Sequence, residues 1–390
     1  MGKKRKVHSL TGRITPELML DAFKAVKRNR GACGIDKVSI QMFEFQLEQN
    51  LTALMKELKS RVYQPYPLRR AYIPKGKKQR RPLGIPAVRD RVAQEVVRRL
   101  LEPIFERMFH DDSYGFRNRR SCHQAVKRVL ELCQQGYKIV LDADIEAFFD
   151  NIPHSLIMKA LAEEVADGNI LGLVERFLKS GVMEDGKFIP TIKGTPQGGV
   201  ISPLLANIVL NYLDWHLEDH GYRFVRYADD FVVLVQNKAE AEKALKLVRY
   251  FLSTELGLEL NLEKTEITTY GKGFDFLGFS ISSRYVRIRT KSVEKFRDKV
   301  RKLTIRSHNL DRKVIEKLNR VISGMANYFA TSFSNCHYQF RELDKWIRMR
   351  LRCMKFKSIS RTHNLRMRVK HFRRRSLLSL VDLCPLSKSV

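Results

Sequence analysis

Tyr222-Arg223-Phe224-Val225-Arg226-Tyr227-Ala228-Asp229-Asp230-Phe231-Val232-Val233-Leu234-Val235 sets two adjacent carboxylates between two apolar runs. The runs read as the strands of a β-hairpin, with the acids at its tip. Neighbouring carboxylates repel when buried unless a cation neutralises them. Oxygen ligands on a rigid hairpin suit Mg²⁺. An aromatic-x-Asp-Asp sequence recurs by chance, so its weight depends on what else the chain carries.

Upstream, Ile139-Val140-Leu141-Asp142-Ala143-Asp144 reads as a buried strand ending at a carboxylate, with Phe148 and Phe149 just beyond. Asp144 and Asp229 would then share two metal ions, the arrangement of two-metal phosphoryl transfer, with the ions about 4 Å apart. Solvated acids at the strand ends of an ordinary α/β domain are the competing reading. Between the two acidic stretches runs Lys193-Gly194-Thr195-Pro196-Gln197-Gly198-Gly199-Val200-Ile201-Ser202-Pro203. Its glycines would allow close backbone approach to a ligand. Ser202-Pro203 fits a helix start with Pro at the first position, so the run reads as a phosphate or nucleotide cradle, or as a structural loop.

The order of motifs resembles the reverse transcriptases encoded by bacterial group II introns. It runs GACGIDKVS (31–39), AYIPKGKKQRRPLGIPAVRDRVAQEVV (71–97), DDSYGFRNRRSCHQAV (111–126), DIEAFFD (144–150), GTPQGGVISPLLANI (194–208), RYADD (226–230), LNLEKTEI (260–267) and FDFLGFSI (274–281). The resemblance extends from about residue 15 to about residue 355. It implies an α+β, right-hand polymerase fold, with fingers, a palm built on an antiparallel sheet, and a helical thumb (domain X, the maturase domain). It implies RNA-directed DNA synthesis from an RNA template, a DNA or RNA primer and dNTPs, with two Mg²⁺ ions. By position, Asp144, Asp229 and Asp230 match the catalytic, metal-binding triad, and Ile145 matches the residue lending a backbone carbonyl to metal. Phe149 matches the bulky residue under the sugar that rejects a 2′-hydroxyl. Gln197 matches the residue that positions nucleotide and template, Lys75 and Arg81 the triphosphate contacts of the fingers, Lys264 a lysine near the leaving pyrophosphate, and Tyr227 the hairpin aromatic at the primer end.

With 390 residues and 44% apolar content the chain can bury a large core in two or three subdomains. The net charge of +31 points to a polyanionic partner. No run of about 18 apolar residues reads as a membrane span, and no signal-peptide core precedes the fold. A membrane partner is not expected and a cytoplasmic setting is. The six cysteines show neither Cys-x-x-Cys pairs nor zinc spacing, so disulfides and structural zinc are not expected either.

Helical periods run through 15–62 with a break at Gly31–Gly34. A strand, basic turn and strand fill 69–86. Further helices are expected over 90–108, 121–135, 154–180, 202–218 and 238–256. Past Lys291 three amphipathic stripes follow: Val293-Phe296-Val300-Leu303, Val314 to Phe329, and Phe340-Leu343-Ile347-Leu351-Met354. Residues 284–375 carry 28 Lys or Arg against 6 acids, a one-sided charge that phosphate binding explains. Arg297, Lys299, Arg301, Lys302, Arg348, Arg350 and Arg352 are the expected RNA contacts. The expected division is a basic arm (1–14), N-terminal extension and fingers (15–138), palm (139–285), thumb (286–356) and a short basic C-terminal segment (357–390). Met1–Val7 reads as a basic terminus, with a nucleic-acid arm, a nuclear-localisation-like signal or an appended tag as alternatives.

The 35 residues after Lys355 and the scattered His and Cys hold no endonuclease constellation, so target-site cleavage is not expected of this chain. Three rival readings stand. One is a splicing cofactor that mainly binds group II intron RNA. Another is a relative domesticated for phage defence or a CRISPR setting, copying a dedicated non-coding RNA. The third, an RNA-dependent RNA polymerase, is opposed by Phe149.

Overall fold

The computed structural model describes residues 6–75, 79–196 and 198–384, without the side chains of Lys75 and Gln79. The chain forms two units. The first is Met1–Leu132 with Val140–Ile267, and the second is Cys133–Ile139 with Thr268–Val390.

In the first unit the N-terminal helices start at side-chain caps. Thr15 accepts from the Leu18 amide at 3.3 Å, with Pro16 opening the helix Pro16–Arg28. Ser39 caps Ile40–Phe45 in the same way. Met19, Ala22, Phe23 and Val26 are buried along one stripe, as are Leu51, Leu54 and Leu58 of the helix Leu47–Lys59. These stripes place the helices against the body of the unit through apolar burial. Strands Leu68–Lys75 and Gln79–Ile85 pair antiparallel. A ribbon of Val182–Glu184 and Lys187–Ile189 extends this sheet, joined parallel to Leu68–Lys75.

The region 154–180, expected as one helical stretch, is two helices, His154–Glu164 and Gly168–Leu178. Asp167 separates them. Its carboxylate accepts from the Asn169 and Ile170 amides at 3.1 and 3.2 Å, the N-cap geometry of a new helix. The helix Ser202–Asp219 begins at the expected place, but Ser202 is its first residue and not its cap. The Ser202 hydroxyl donates to the Pro196 carbonyl at 3.0 Å, bracing the preceding loop.

A second sheet of this unit has Asp230–Val235 between Arg223–Tyr227 and Ile139–Asp144. Val140, Leu141, Phe224, Val225 and Phe231–Val235 form its buried body. The strand Glu266–Thr269, where the chain leaves the first unit, is fourth in the order.

The second unit has a three-stranded antiparallel sheet, Phe274–Phe276, Phe279–Ile281 and Val286–Ile288, and the helices Thr290–Leu303, Arg312–Phe329 and His337–Phe356. Phe296, Val300, Ile315, Leu318, Ile322, Met325, Phe340, Leu343, Ile347, Leu351 and Met354 are buried, the core that the three stripes anticipate. Asp344, buried on the third helix, accepts from the Ser379 hydroxyl and the Leu380 amide at 2.7 and 3.0 Å, fixing the C-terminal segment to the bundle. Among the described residues no helix is long and apolar enough to cross a membrane, and the six cysteines are free thiols.

Candidate active site at the hairpin tip

The hairpin forms in the register the alternation requires. Tyr227 pairs with Asp230 and Arg226 with Phe231, leaving Ala228 and Asp229 as a two-residue turn. Such a turn demands positive φ at its first residue, and Ala228 adopts +60°. The strain is held from beneath. Arg226, fully buried, donates from Nη1 to the Ala228 carbonyl at 2.9 Å and to Asn207 Oδ1 at 3.0 Å. Its Nε donates to Asp214 at 2.7 Å and its Nη2 bonds the same carboxylate. The flank is held too. Tyr114 N–H donates to the Arg226 carbonyl at 2.8 Å, and Arg226 N–H to the Asp112 carbonyl at 2.9 Å. A Cβ on Gly115 would lie 2.2 Å from the Ala228 nitrogen, so only glycine lets this loop touch the tip.

The strand Ile139–Asp144 ends beside this tip. Asn261 N–H donates to the Asp144 carbonyl at 2.8 Å, and Glu146 N–H to the Glu259 carbonyl at 2.8 Å, so a neighbouring segment fixes the strand end. Asp144 and Asp229 line one cavity of about 470 Å³ with Ile145, Phe149, Arg81 and Lys264. Burial, and after it the Asp144 charge, push the Asp229 carboxyl above the usual carboxylate range, against the pull of Arg81 and Arg226. Lys264 Nζ sits 2.8 Å from Asp144 Oδ2, so an ammonium already occupies one cation position at the acids. Phe149 is half-buried, edge-on to Phe148 at 5.3 Å and to Phe116 at 6.4 Å between ring centroids. Its backbone carbonyl accepts from Thr195 N–H at 2.7 Å, tying the glycine-rich run to the aromatic pair.

Other expected site residues lie outside this cavity. Asp230 begins the second hairpin strand and does not line the pocket. Tyr227 closes the first strand, half-buried, its phenol raised by burial and then by Cys122. Gln197 and the side chain of Lys75 lie outside the described residues. The glycine-rich run approaches backbone. Gly198, at φ +112°, would drive a Cβ to 2.5 Å from the Gly84 carbonyl of the strand Gln79–Ile85. The Val200 amide donates to Gln94 Oε1 at 2.8 Å, so that amide is not open to a phosphate.

In the second unit Arg297 and Arg301 lie over the Trp346 ring at 5.6 and 5.7 Å. Arg350 donates to the Thr304 carbonyl at 2.7 Å, and Arg352 to the Met367 carbonyl at 2.9 Å, so both brace the bundle. Burial lowers the Arg352 pKa, with Arg348 adding to the effect.

Residues 73–281 match the family described as reverse transcriptase (RNA-dependent DNA polymerase). Residues 293–375 match the maturase-specific domain of group II introns. The chain belongs to the group II intron-type reverse transcriptase and maturase family. Among the relatives of this reverse transcriptase, Protein YkfC of Escherichia coli (strain K12) is 37% identical over 320 residues, 71% of this chain and 84% of YkfC. The group II intron-encoded protein LtrA of Lactococcus lactis subsp. cremoris is 31% identical over 359 residues, 75% of this chain and 58% of LtrA. A solved structure described as a partial Cas6-RT-Cas1–Cas2 complex is 25% identical, covering 63% of this chain and 42% of that one at a TM-score of 0.40. The α+β, right-hand polymerase fold class accords with the reverse transcriptase match.

Sequence reasoning assigned no role to Arg226, Asn207, Asp214 or Gly115 of this reverse transcriptase. A signal existed. Asn207 and Asp214 stand seven residues apart on an otherwise apolar helix face, two turns of one stripe. Each buried polar side chain needs a hydrogen-bond partner, and Arg226 supplies one to both.

The cavity fits a divalent cation. Among the described residues no three acids, histidines or cysteines form a ready metal cage. Mg²⁺ seldom uses one, since it binds through one or two carboxylates and completes its shell with water and substrate phosphates. Asp144 and Asp229, with Ile145 beside them, would supply such a donor set, and a cation there would favour the ionised form of Asp229, whose carboxyl burial, and after it the Asp144 charge, pushes up.

Proposed function

We propose that this chain extends a DNA or RNA primer on an RNA template, taking dNTPs one at a time by attack of the primer 3′-hydroxyl on the α-phosphate. The observation that carries the reading is the meeting of Asp144 and Asp229, from stretches 85 residues apart in sequence, in one cavity with a cation at Arg81 and an aromatic at Phe149. Two Mg²⁺ ions, bound through Asp144, Ile145 and Asp229 with Asp230 in support, would lower the pKa of the attacking hydroxyl and offset charge on the leaving group.

The chain's own groups carry the rest of the reading. Arg81 and Lys75 hold the triphosphate, for which a guanidinium fork and an ammonium are suited. Phe149 excludes a ribose 2′-hydroxyl. Gln197 orients nucleotide and template, and Tyr227 meets the primer end. Lys264 neutralises Asp144 before substrate binds and turns to the pyrophosphate as it leaves. Fingers and palm, in this reading, fill residues 15–285, and the thumb follows.

Binding of structured intron RNA is the second role, favoured by the maturase-specific match over residues 293–375 and the 28-to-6 excess of basic residues over 284–375. Lys299, Lys302, Arg297, Arg301 and Arg348 are the contacts proposed, with Arg350 and Arg352 setting the bundle beneath them.

Primer extension by the purified chain on an RNA template with Mg²⁺ and dNTPs tests the polymerase reading, beside Asp229→Ala/Asp230→Ala. Extension by the wild type and none by the double variant is expected. Equal extension by both would refute the assignment of the acids.

A further inference from the structure

The second unit contains a cavity of about 590 Å³ along the helices Thr290–Leu303 and Arg312–Phe329. Its floor is apolar, with Phe296, Met325 and Phe329 almost wholly buried. Its rim carries Arg289, Lys295, Lys299 and Arg320, and no acidic residue lines it. Arg289 Nε, without a hydrogen-bond partner among the described residues, lies 3.8 Å from Asp275 Oδ2, an ion pair at the edge of the rim.

Like charges around one hollow repel each other, and an anion entering it relieves that repulsion. The volume lies within the roughly 300–1,000 Å³ of pockets that enclose small organic molecules. The ligand must therefore join a flat apolar body to phosphate charge on more than one side. A base-paired duplex offers its phosphates but keeps its bases stacked inside. An unpaired nucleotide in a folded RNA offers both, because its base is free to leave the stack while the phosphates before and after it remain.

We propose that this cavity receives one extruded nucleotide of a structured RNA, its base on the Phe296–Phe329 floor and its flanking phosphates on Lys295, Lys299 and Arg320. This deepens, and rests on, the reading of the second unit as an RNA-binding domain. It gives that domain a way to recognise where a helix is interrupted, beyond following phosphates.

Two RNA hairpins, identical except for a single-nucleotide bulge, test it by fluorescence anisotropy with the full chain at one fixed salt concentration. The wild type should bind the bulged hairpin about tenfold tighter, the scale of one stacked base. Gly324→Leu should bring the ratio near one. Gly324 is exposed on the second helix, lines the cavity, and a Cβ there meets nothing within 4 Å, so a larger side chain can start from it toward the hollow. Leucine also favours the helix over glycine. Arg320→Glu should lower the same ratio by removing a phosphate seat. Equal affinity for the two hairpins in the wild type, or an undiminished ratio in both variants, overturns the pocket. Primer extension is run on the same preparation. Extension without bulge preference sinks the pocket alone, whereas failure to bind either hairpin sinks the RNA-binding reading beneath it.

Discussion

Arg226 decides whether the turn that carries Asp229 has a shape. Its guanidinium joins Asp214, Asn207 and the Ala228 carbonyl in a site closed to water. Removing one partner of a buried ion pair leaves a bare charge inside the protein, at a cost of about 3–5 kcal/mol. Arg226→Met should therefore lower the thermal midpoint sharply and abolish primer extension. Arg226→Met with Asp214→Leu should recover most of the midpoint, since two apolar side chains replace the pair, yet extension should stay low because Ala228 has lost its donor. Recovery of both would show that the arginine serves stability alone. At this scale the meeting of Asp144 and Asp229 in one cavity was legible from sequence, because their chemistry and their order along the chain announce it. Arg226 stood in the same motif and stayed silent, because its meaning lies in what the helix Ser202–Asp219 turns toward it. The glycines misled in the opposite direction. Gly198 faces the Gly84 carbonyl, and one-dimensional reading cannot separate a backbone neighbour from a ligand.

The helix Val88–Phe105 shows how an element is held by an expensive group. Asp90, in its first turn, is 1% exposed, bonded to the Tyr63 hydroxyl and accepting from the Tyr66 amide at 3.0 Å. Burial pushes its carboxyl up to about 6, outweighing the pull of those bonds and of Arg89. The folded chain thus holds this proton more tightly than the unfolded chain does. The contribution is complete below about pH 4 and is lost as pH rises through about 6, amounting to roughly 3 kcal/mol for a two-unit shift. Carboxylates such as Glu95, whose pKa is lowered chiefly by Arg98 and Arg99 against burial, act in the opposite sense. The readout is therefore a difference. The stability gap between wild type and Asp90→Asn, from urea unfolding, should shift in favour of the variant between pH 4 and 7. A constant gap would mean that Asp90 does not titrate in that window. Long elements were readable because many turns repeat one pattern. The ribbon over 182–189 was not, because three residues a strand cannot display an alternation, and the split at Asp167 went unread although Asp167-Gly168 is a cap written in the sequence.

Across the whole molecule, charge is the property most easily read and least informative about place. A net +31 predicts a polyanion without saying which residues meet it. Lys299 and Lys302 are exposed on the helix Thr290–Leu303, whereas Arg350 and Arg352 spend their donors on carbonyls. Neutralising Lys299 and Lys302 to Gln should lower the slope of log affinity against log salt by about one each, measured on a fully paired RNA. Slopes unchanged in the double variant would put the phosphates elsewhere. The division into units carries a consequence for how such a chain is made and lost. Residues 133–139 belong with the segment that begins at Thr268, and Tyr270 N–H donates to the Lys138 carbonyl at 2.8 Å. A ribosome delivers that first piece long before the rest of its unit exists, so it must wait through the synthesis of the intervening residues. By the same token a premature stop after Ile267 would not cleanly delete a module. It would strand an orphaned stretch between two parts of the first unit, which makes the two units harder to separate by simple genetic truncation than their order along the gene suggests.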